Sequence, residues 1–291
     1  MRIRASVLGC LLATFIVLYS CASPKAIGDF ADSAQKTLAG GPALFKDIHD
    51  SCIRRESARI DNPLLPVFLP PGSKNAAPKE VPAAAACAPL EKQTAGLTKV
   101  SDVLIAYFKA MQKLAGFDVG PVTADNASAA SSAATAAGLG LVQVDSASQL
   151  ANLITRVLTE AHQRGKLLLY LRSAEPQVAN ITEGLDSVMK NYLIFLDEEQ
   201  QTVTARYQDV YDLNNKPTLL LLNRAYTEDM AGIQHRREEA KAYQNALKDI
   251  REGDQKLLQD AQKLNPKELS AALQPYTSNL NGLLPALQSS K

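Results

Sequence analysis

One feature constrains this chain more than any other: apolar residues spaced three and four apart recur along most of it. From Pro89 onward Leu90, Leu97, Val100, Leu104, Tyr107, Met111 and Leu114 keep that spacing. The longest run covers residues 218–264, with Leu219, Leu222, Tyr226, Met230, Ile233, Ala240, Tyr243, Leu247, Ile250, Leu257, Ala261 and Leu264 in register. Such a stripe lies on one face of an α-helix, and a seam of this kind packs helices at small crossing angles. Strands would instead need alternation with a period of two and a supply of aromatic and β-branched side chains. Aromatic residues make up only 5% of the chain, which argues against an all-β fold. The expected fold is all-α: an elongated antiparallel helical bundle with coiled-coil-like seams.

Glycine and proline punctuate the pattern. In residues 29–60 the apolar positions Phe30, Leu38, Leu44, Phe45, Ile48, Cys52 and Ile53 are interrupted by Gly40-Gly41-Pro42, which predicts two helices or one kinked helix. Residues 61–90 hold Pro63, Pro66, Pro70, Pro71, Pro78, Pro82 and Pro89. Each proline lacks an amide donor and fixes φ, so this stretch reads as an extended excursion. Gly116 should close the seam that follows. Residues 119–144, rich in alanine and serine, fit either a weak, closely packing helix or a mobile loop. Ser146 is placed to cap a helix running through Leu171, and Glu175-Pro176 to start another that reaches about Leu213. Asn214-Asn215-Lys216-Pro217 and Asn265-Pro266 are the next breaks, with a shorter amphipathic segment over 267–288. No internal repeat is visible, so residues 29–291 are expected to form one helical-bundle domain.

The N-terminus supplies an address. Met1-Arg2-Ile3-Arg4 is followed by an apolar run from Val7 to Leu18, which is the layout of a cleaved signal peptide over residues 1–20 and is too short for a lasting membrane span. Leu18-Tyr19-Ser20-Cys21 resembles the lipobox of bacterial lipoproteins. The resemblance implies that the Cys21 sulfur receives a diacylglycerol, that the bond before it is cut and that the new amine is acylated. Ala22, where an aspartate would favour retention in the inner membrane, implies the periplasmic face of the outer membrane. Residues 21–28 would then be a short lipidated tether, and the lipid would be the membrane contact.

Chemistry-bearing patterns are sparse. The three histidines, His49, His162 and His235, show no zinc-protease or di-iron spacing, and there is no nucleophile elbow, phosphate-binding loop or dinucleotide fingerprint. No metal, cofactor or catalytic residue is expected. The basic pairs Arg54-Arg55 and Arg236-Arg237 read as ion-pairing or headgroup-facing residues. With 31 basic against 30 acidic side chains, the chain lacks the cationic surplus of a nucleic-acid binder. Of the four cysteines, Cys10 leaves with the signal and Cys21 carries lipid. Cys52 and Cys87 remain, and in an oxidising compartment they are expected to pair; the alternative is a buried Cys52 with Cys87 free. These features suggest a non-enzymatic, lipid-anchored envelope protein that acts as a spacer or docks an envelope partner. The rival readings are a membrane-active bundle resembling in outline the all-α pore-forming toxins, with residues 119–144 as its apolar element, and a ligand-binding bundle.

Overall fold

The computed structural model describes residues 24–60, 82–122, 126–159, 167–211, 216–261, 263 and 265–288. Cys21 and its lipobox, the excursion over 61–81, His162 and the break at 212–215 lie outside the described residues. Among the described residues eight helices follow one another: α1 (Pro24–Leu38), α2 (Gly41–Ile60), α3 (Ala83–Leu114), α4 (Ala127–Ala136), α5 (Leu141–Thr159), α6 (Leu167–Tyr211), α7 (Lys216–Asp260) and α8 (Pro266–Gln288). Among the described residues there is no strand, and the helices pack side by side as an all-α bundle.

The seams read from the sequence are the core. Leu97, Val100, Leu104, Tyr107 and Met111 of α3 are fully buried, as are Tyr243, Ile250 and Leu257 of α7. Helix α7 has 45 residues, about 67 Å at a rise of about 1.5 Å per residue. Contacts along it give the topology. The Phe30 ring of α1 lies against Gly253, Gly41 faces Tyr243, and Arg54 of α2 meets α7 through Glu199 and Arg236. Helices α1 and α2 therefore run end to end, antiparallel to α7. Helix α6 is antiparallel to α7 as well, since Glu175 bonds Gln255 while Asp197 bonds Arg237.

Several boundaries differ from expectation, and the reasons are physical. The first helix begins at Pro24 and buries Ala26, Ile27 and Gly28, so only the beginning of the expected 21–28 tether is left to span. Residues 83–90 belong to α3, which continues through Pro89. Its alanines are strong helix formers, and Cys87 ties this turn to α2. Helix α6 likewise runs through Pro176, where a new start was expected. Tyr170, Leu171, Ala174, Val178 and Ile181 form one unbroken buried stripe across it. That packing outweighs the roughly 3 kcal/mol a mid-helix proline costs. Leu168 and Leu171 accordingly open α6 and do not close the helix before it. Ser146 caps nothing; it lies inside α5, buried, and accepts a hydrogen bond from Asn180 Nδ2 at 3.0 Å.

The alanine-rich stretch resolves into a short helix. Asn126 Oδ1 accepts from Ala129 N at 2.8 Å and caps α4, whose Ala130, Ala133 and Ala134 are buried. The small side chains let backbones approach: a Cβ on Gly96 of α3 would sit 2.5 Å from the Ala133 carbonyl oxygen. Gly116 closes α3 at φ 95°, as its position predicts. Asn265 does more than stop a helix. It accepts from Lys267 N and Glu268 N while Glu268 Oε2 accepts from Asn265 N at 3.1 Å, a reciprocal cap at the start of α8.

Past Glu199 and Arg236 the bundle thins to two helices. From 200 to 208 and from 219 to 232 no described side chain is buried. Tyr207 pairs with Tyr226 edge to face at 5.3 Å and donates to Asp229 Oδ2 at 2.8 Å. This α6–α7 hairpin points away from the end at which α1 begins.

Candidate functional site

Two polar centres lie inside the bundle. The first joins α2, α6 and α7. Glu199, only 2% exposed, accepts from Arg54 Nε at 2.7 Å and Arg236 Nη2 at 2.8 Å through Oε1, and from Ser51 Oγ at 2.5 Å through Oε2. Asp47 Oδ2 accepts from Arg54 Nη2 at 2.9 Å and from the Tyr192 hydroxyl. Arg236 Nε finds no hydrogen-bond partner among the described residues and rests 3.4 Å from Asp47. Two guanidinium groups thus face two carboxylates, so the charges inside the core compensate. Burial works to lower the Arg54 pKa, but the hydrogen bonds it donates to Asp47 and Glu199 overcome it and raise the pKa above its ordinary value. Burial, with Asp47 beside it, pushes the Tyr192 hydroxyl up.

Cys52 lies one residue beyond Ser51. Its sulfur and that of Cys87 are at bonding distance, a disulfide between α2 and α3 with the Cα atoms 5.9 Å apart. The expected pairing is therefore present, and it fastens the two helices that flank residues 61–81. Around the same level Arg55 pairs with Glu198 and lies over the Phe195 ring at 5.7 Å, and Arg237 pairs with Asp197 at 2.6 Å. All four arginines of the basic pairs are engaged in ion pairs.

The second centre sits nearer the start of α1. Asp254 is 1% exposed and accepts from the Tyr107 hydroxyl at 2.7 Å through Oδ1, while Oδ2 has no partner among the described residues. Tyr170 stacks on Tyr107 with ring centroids 5.3 Å apart. No cation is placed among the groups that set the Asp254 charge. Burial pushes its carboxyl up to about 7; the Tyr107 bond lowers it and nearby Glu175 raises it. Burial and the Asp254 charge also push Tyr107 well above its ordinary value.

Sequence reasoning missed both centres, though each left a trace. Asp254 falls between Ile250 and Leu257, where the seam calls for an apolar side chain, and Glu199 falls three residues after buried Leu196. A carboxylate on a seam is the signal.

Other candidates are weaker. His49 Nδ1 is 3.4 Å from Asp50, and His235 Nε2 is 3.2 Å from Glu239. Among the described residues no group of three or more histidines, cysteines or acids is arranged to hold a metal ion. A groove of about 270 Å³ between α6 and α7 is lined by Thr182, Asp186, Lys190, Gln244, Lys248 and Arg251 among others. No described helix is long and apolar enough to cross a membrane, and within residues 119–144, the candidate membrane-active stretch, α4 is a ten-residue helix packed on α3 and α5. No protein-family model, curated protein or solved structure matches the chain.

Proposed function

We propose that the protein is a lipid-anchored, non-enzymatic module of the bacterial cell envelope. Cys21 holds it at the periplasmic face of the outer membrane, and the bundle serves as a spacer that presents a docking surface. The observation that carries this reading is the placement of Leu18-Tyr19-Ser20-Cys21 with Cys21 three positions before the first described helix. One acyl chain binds a bilayer only marginally, whereas several hold a protein firmly, at roughly 0.8 kcal/mol per buried methylene. The disulfide between Cys52 and Cys87 supports an oxidising compartment. The topology supports the spacer reading: helices fixed by a core of Tyr107, Leu104, Ile250 and Leu257 run along α7, and carry the α6–α7 hairpin to the end remote from Pro24. A stiff rod with an anchor at one end and an exposed two-helix tip at the other is suited to reach across a gap.

Metabolic labelling with a palmitate analogue tests the reading. Label on the wild-type chain that disappears in a Cys21→Ser variant is the expected result. Label that persists in the variant, or none on the wild type, overturns it.

A further inference from the structure

The bundle has two ends, and they differ in chemistry. At the end where α1 begins, Gln112 Nε2 donates to the Gly28 carbonyl at 3.1 Å, and the Phe117 ring lies against Gly28. The last turn of α3 is therefore beside the first turn of α1. The last turn of α7 and the start of α8 join them, because Phe30 and Tyr276 both meet Gly253, and Thr37 and Gly40 meet α8 farther on, at Leu280 and Leu287. Helix α5 is antiparallel to α6, with Gln143 at Gly184 and Ser146 at Asn180, so its last turn falls beside the first turn of α6.

Among the described residues, the exposed cations at this end include Lys25, Lys113, Arg156, Arg172, Lys263 and Lys267, together with the partly exposed Lys256. The acids there include, among the described residues, Asp29, Asp118, Glu175, Asp260 and Glu268, and three of these are committed as follows. Asp29 pairs with Lys25, Asp260 with Lys256, and Glu268 with the Asn265 amide of its own helix cap. Lys113, Lys263 and Lys267 are left facing solvent. Two large apolar side chains stand among these charges: Phe117, 37% exposed, and Leu169, 61% exposed.

We infer that this end of the bundle is a membrane-contact face that lies against anionic lipid headgroups, with Phe117 and Leu169 entering the interfacial layer. The inference rests on the lipid-anchor reading and adds to it an orientation. Chain length leaves little choice once Cys21 is acylated. Residues 21–23 precede Pro24, and three extended residues span at most about 10 Å. That is comparable to the screening length in physiological salt, so lysines at this end act on the headgroup charge while those on the hairpin do not. The opposite end offers Leu220 and Leu221, 78% and 69% exposed, but stands most of the length of α7 away from the anchor.

The chain has no tryptophan, so one introduced indole is a clean reporter. Full-length protein processed and acylated in cells would carry Phe117→Trp or, separately, Leu169→Trp, with Leu221→Trp as the distal control. Each would be reconstituted into vesicles of phosphatidylcholine alone or with phosphatidylglycerol, including dibrominated lipids as quenchers. The expected result is blue-shifted emission and several-fold stronger quenching at 117 and 169 than at 221, larger with phosphatidylglycerol. Replacing Lys113, Lys263 and Lys267 with Gln should remove the phosphatidylglycerol increment while the protein stays vesicle-bound. Acylated, vesicle-bound protein whose indoles at 117 and 169 are no more quenched than the one at 221 overturns the membrane-contact face alone. Protein with no acyl mass on Cys21 that does not float with vesicles overturns the anchor reading, and this inference with it.

Discussion

The two buried polar centres solve the same problem in opposite ways. Around Glu199 the core takes in two carboxylates and supplies two guanidinium groups, a serine and a tyrosine, so that every oxygen of Glu199 is bonded and its charge is matched. Around Asp254 the core takes in one carboxylate and supplies a single hydroxyl. Both acids are almost completely hidden from water. The difference teaches that the partners a core supplies, and not burial alone, set what a hidden carboxylate costs. Arg54 and Arg236 return the cost of burying Glu199 through hydrogen bonds and ion pairs, whereas burial pushes the Asp254 carboxyl up so that it holds its proton more tightly. The first centre is a clamp among three helices; the second titrates in the neutral range.

Removing one partner from the compensated centre should have the largest effect. Glu199→Ala strips the shared acceptor from two arginines and leaves Asp47 to balance both. Breaking a buried pair in this way typically costs about 3–5 kcal/mol. Urea unfolding of the purified protein measures it, with Glu199→Gln expected to lose less because it keeps an acceptor for Ser51. Equal and small losses in both variants would show that the clamp adds nothing.

The uncompensated centre should reveal itself through pH. The folded-state value for Asp254, about 7, lies above the ordinary 3.8, so the folded protein holds a proton that the unfolded chain releases. The resulting stabilisation is fully present below about pH 4 and is lost as pH rises through about 7. A shift of this size corresponds to at most something on the order of 4 kcal/mol between those limits. Asp254→Asn should remove that pH dependence, and above neutral pH it should melt higher than the wild type. Parallel stability profiles for the two proteins between pH 4 and pH 9 would contradict the protonated assignment.

Reduction of the disulfide probes the surroundings of the first centre. Cys52 and Cys87 are separated by 35 positions, and opening a loop of that length should cost about 4 kcal/mol on the chain-entropy model. Because Cys52 adjoins Ser51, the Cys52→Ser, Cys87→Ser double variant should be more sensitive to Glu199→Gln than the wild type. Strict additivity would mean that the bond and the clamp hold α2 independently.

The bundle was largely legible because Leu97, Val100, Leu104, Ile250 and Leu257 report one face of a helix whatever packs on it. The boundaries were less so. Pro176 is a breaker by local rules, yet the buried residues on both sides of it are in phase, and only tertiary packing shows that this suffices. Cys52–Cys87 followed from compartment and elimination. The Glu199 centre could not be foreseen in full, since Asp47, Arg54, Tyr192 and Arg236 come from three helices whose relative register no single-chain period encodes. Asp254 was half visible, as a charge on the α7 seam; that it lacks a cation is a fact about α3 and α6.

The smallest effect belongs to a charge on the same helix as Asp254 but outside the core. Lys256 Nζ pairs with Asp260 Oδ2 at 2.9 Å, one helical turn apart, and the pairing raises the lysine pKa. The lysine side chain is 39% exposed, so water reaches the ammonium although Asp260 is only 13% exposed. Solvent and salt screen such a pair, and the entropy lost in holding two side chains together offsets most of the attraction. Lys256→Ala should therefore leave the melting temperature nearly unchanged, and adding salt should erase what difference there is. Asp254→Asn, only two positions away, should still show its full pH-dependent shift in that same salt, because water and ions do not reach the buried carboxyl. A Lys256→Ala shift as large as that of Glu199→Ala would mean that proximity to charge, and not dehydration, governs this part of α7.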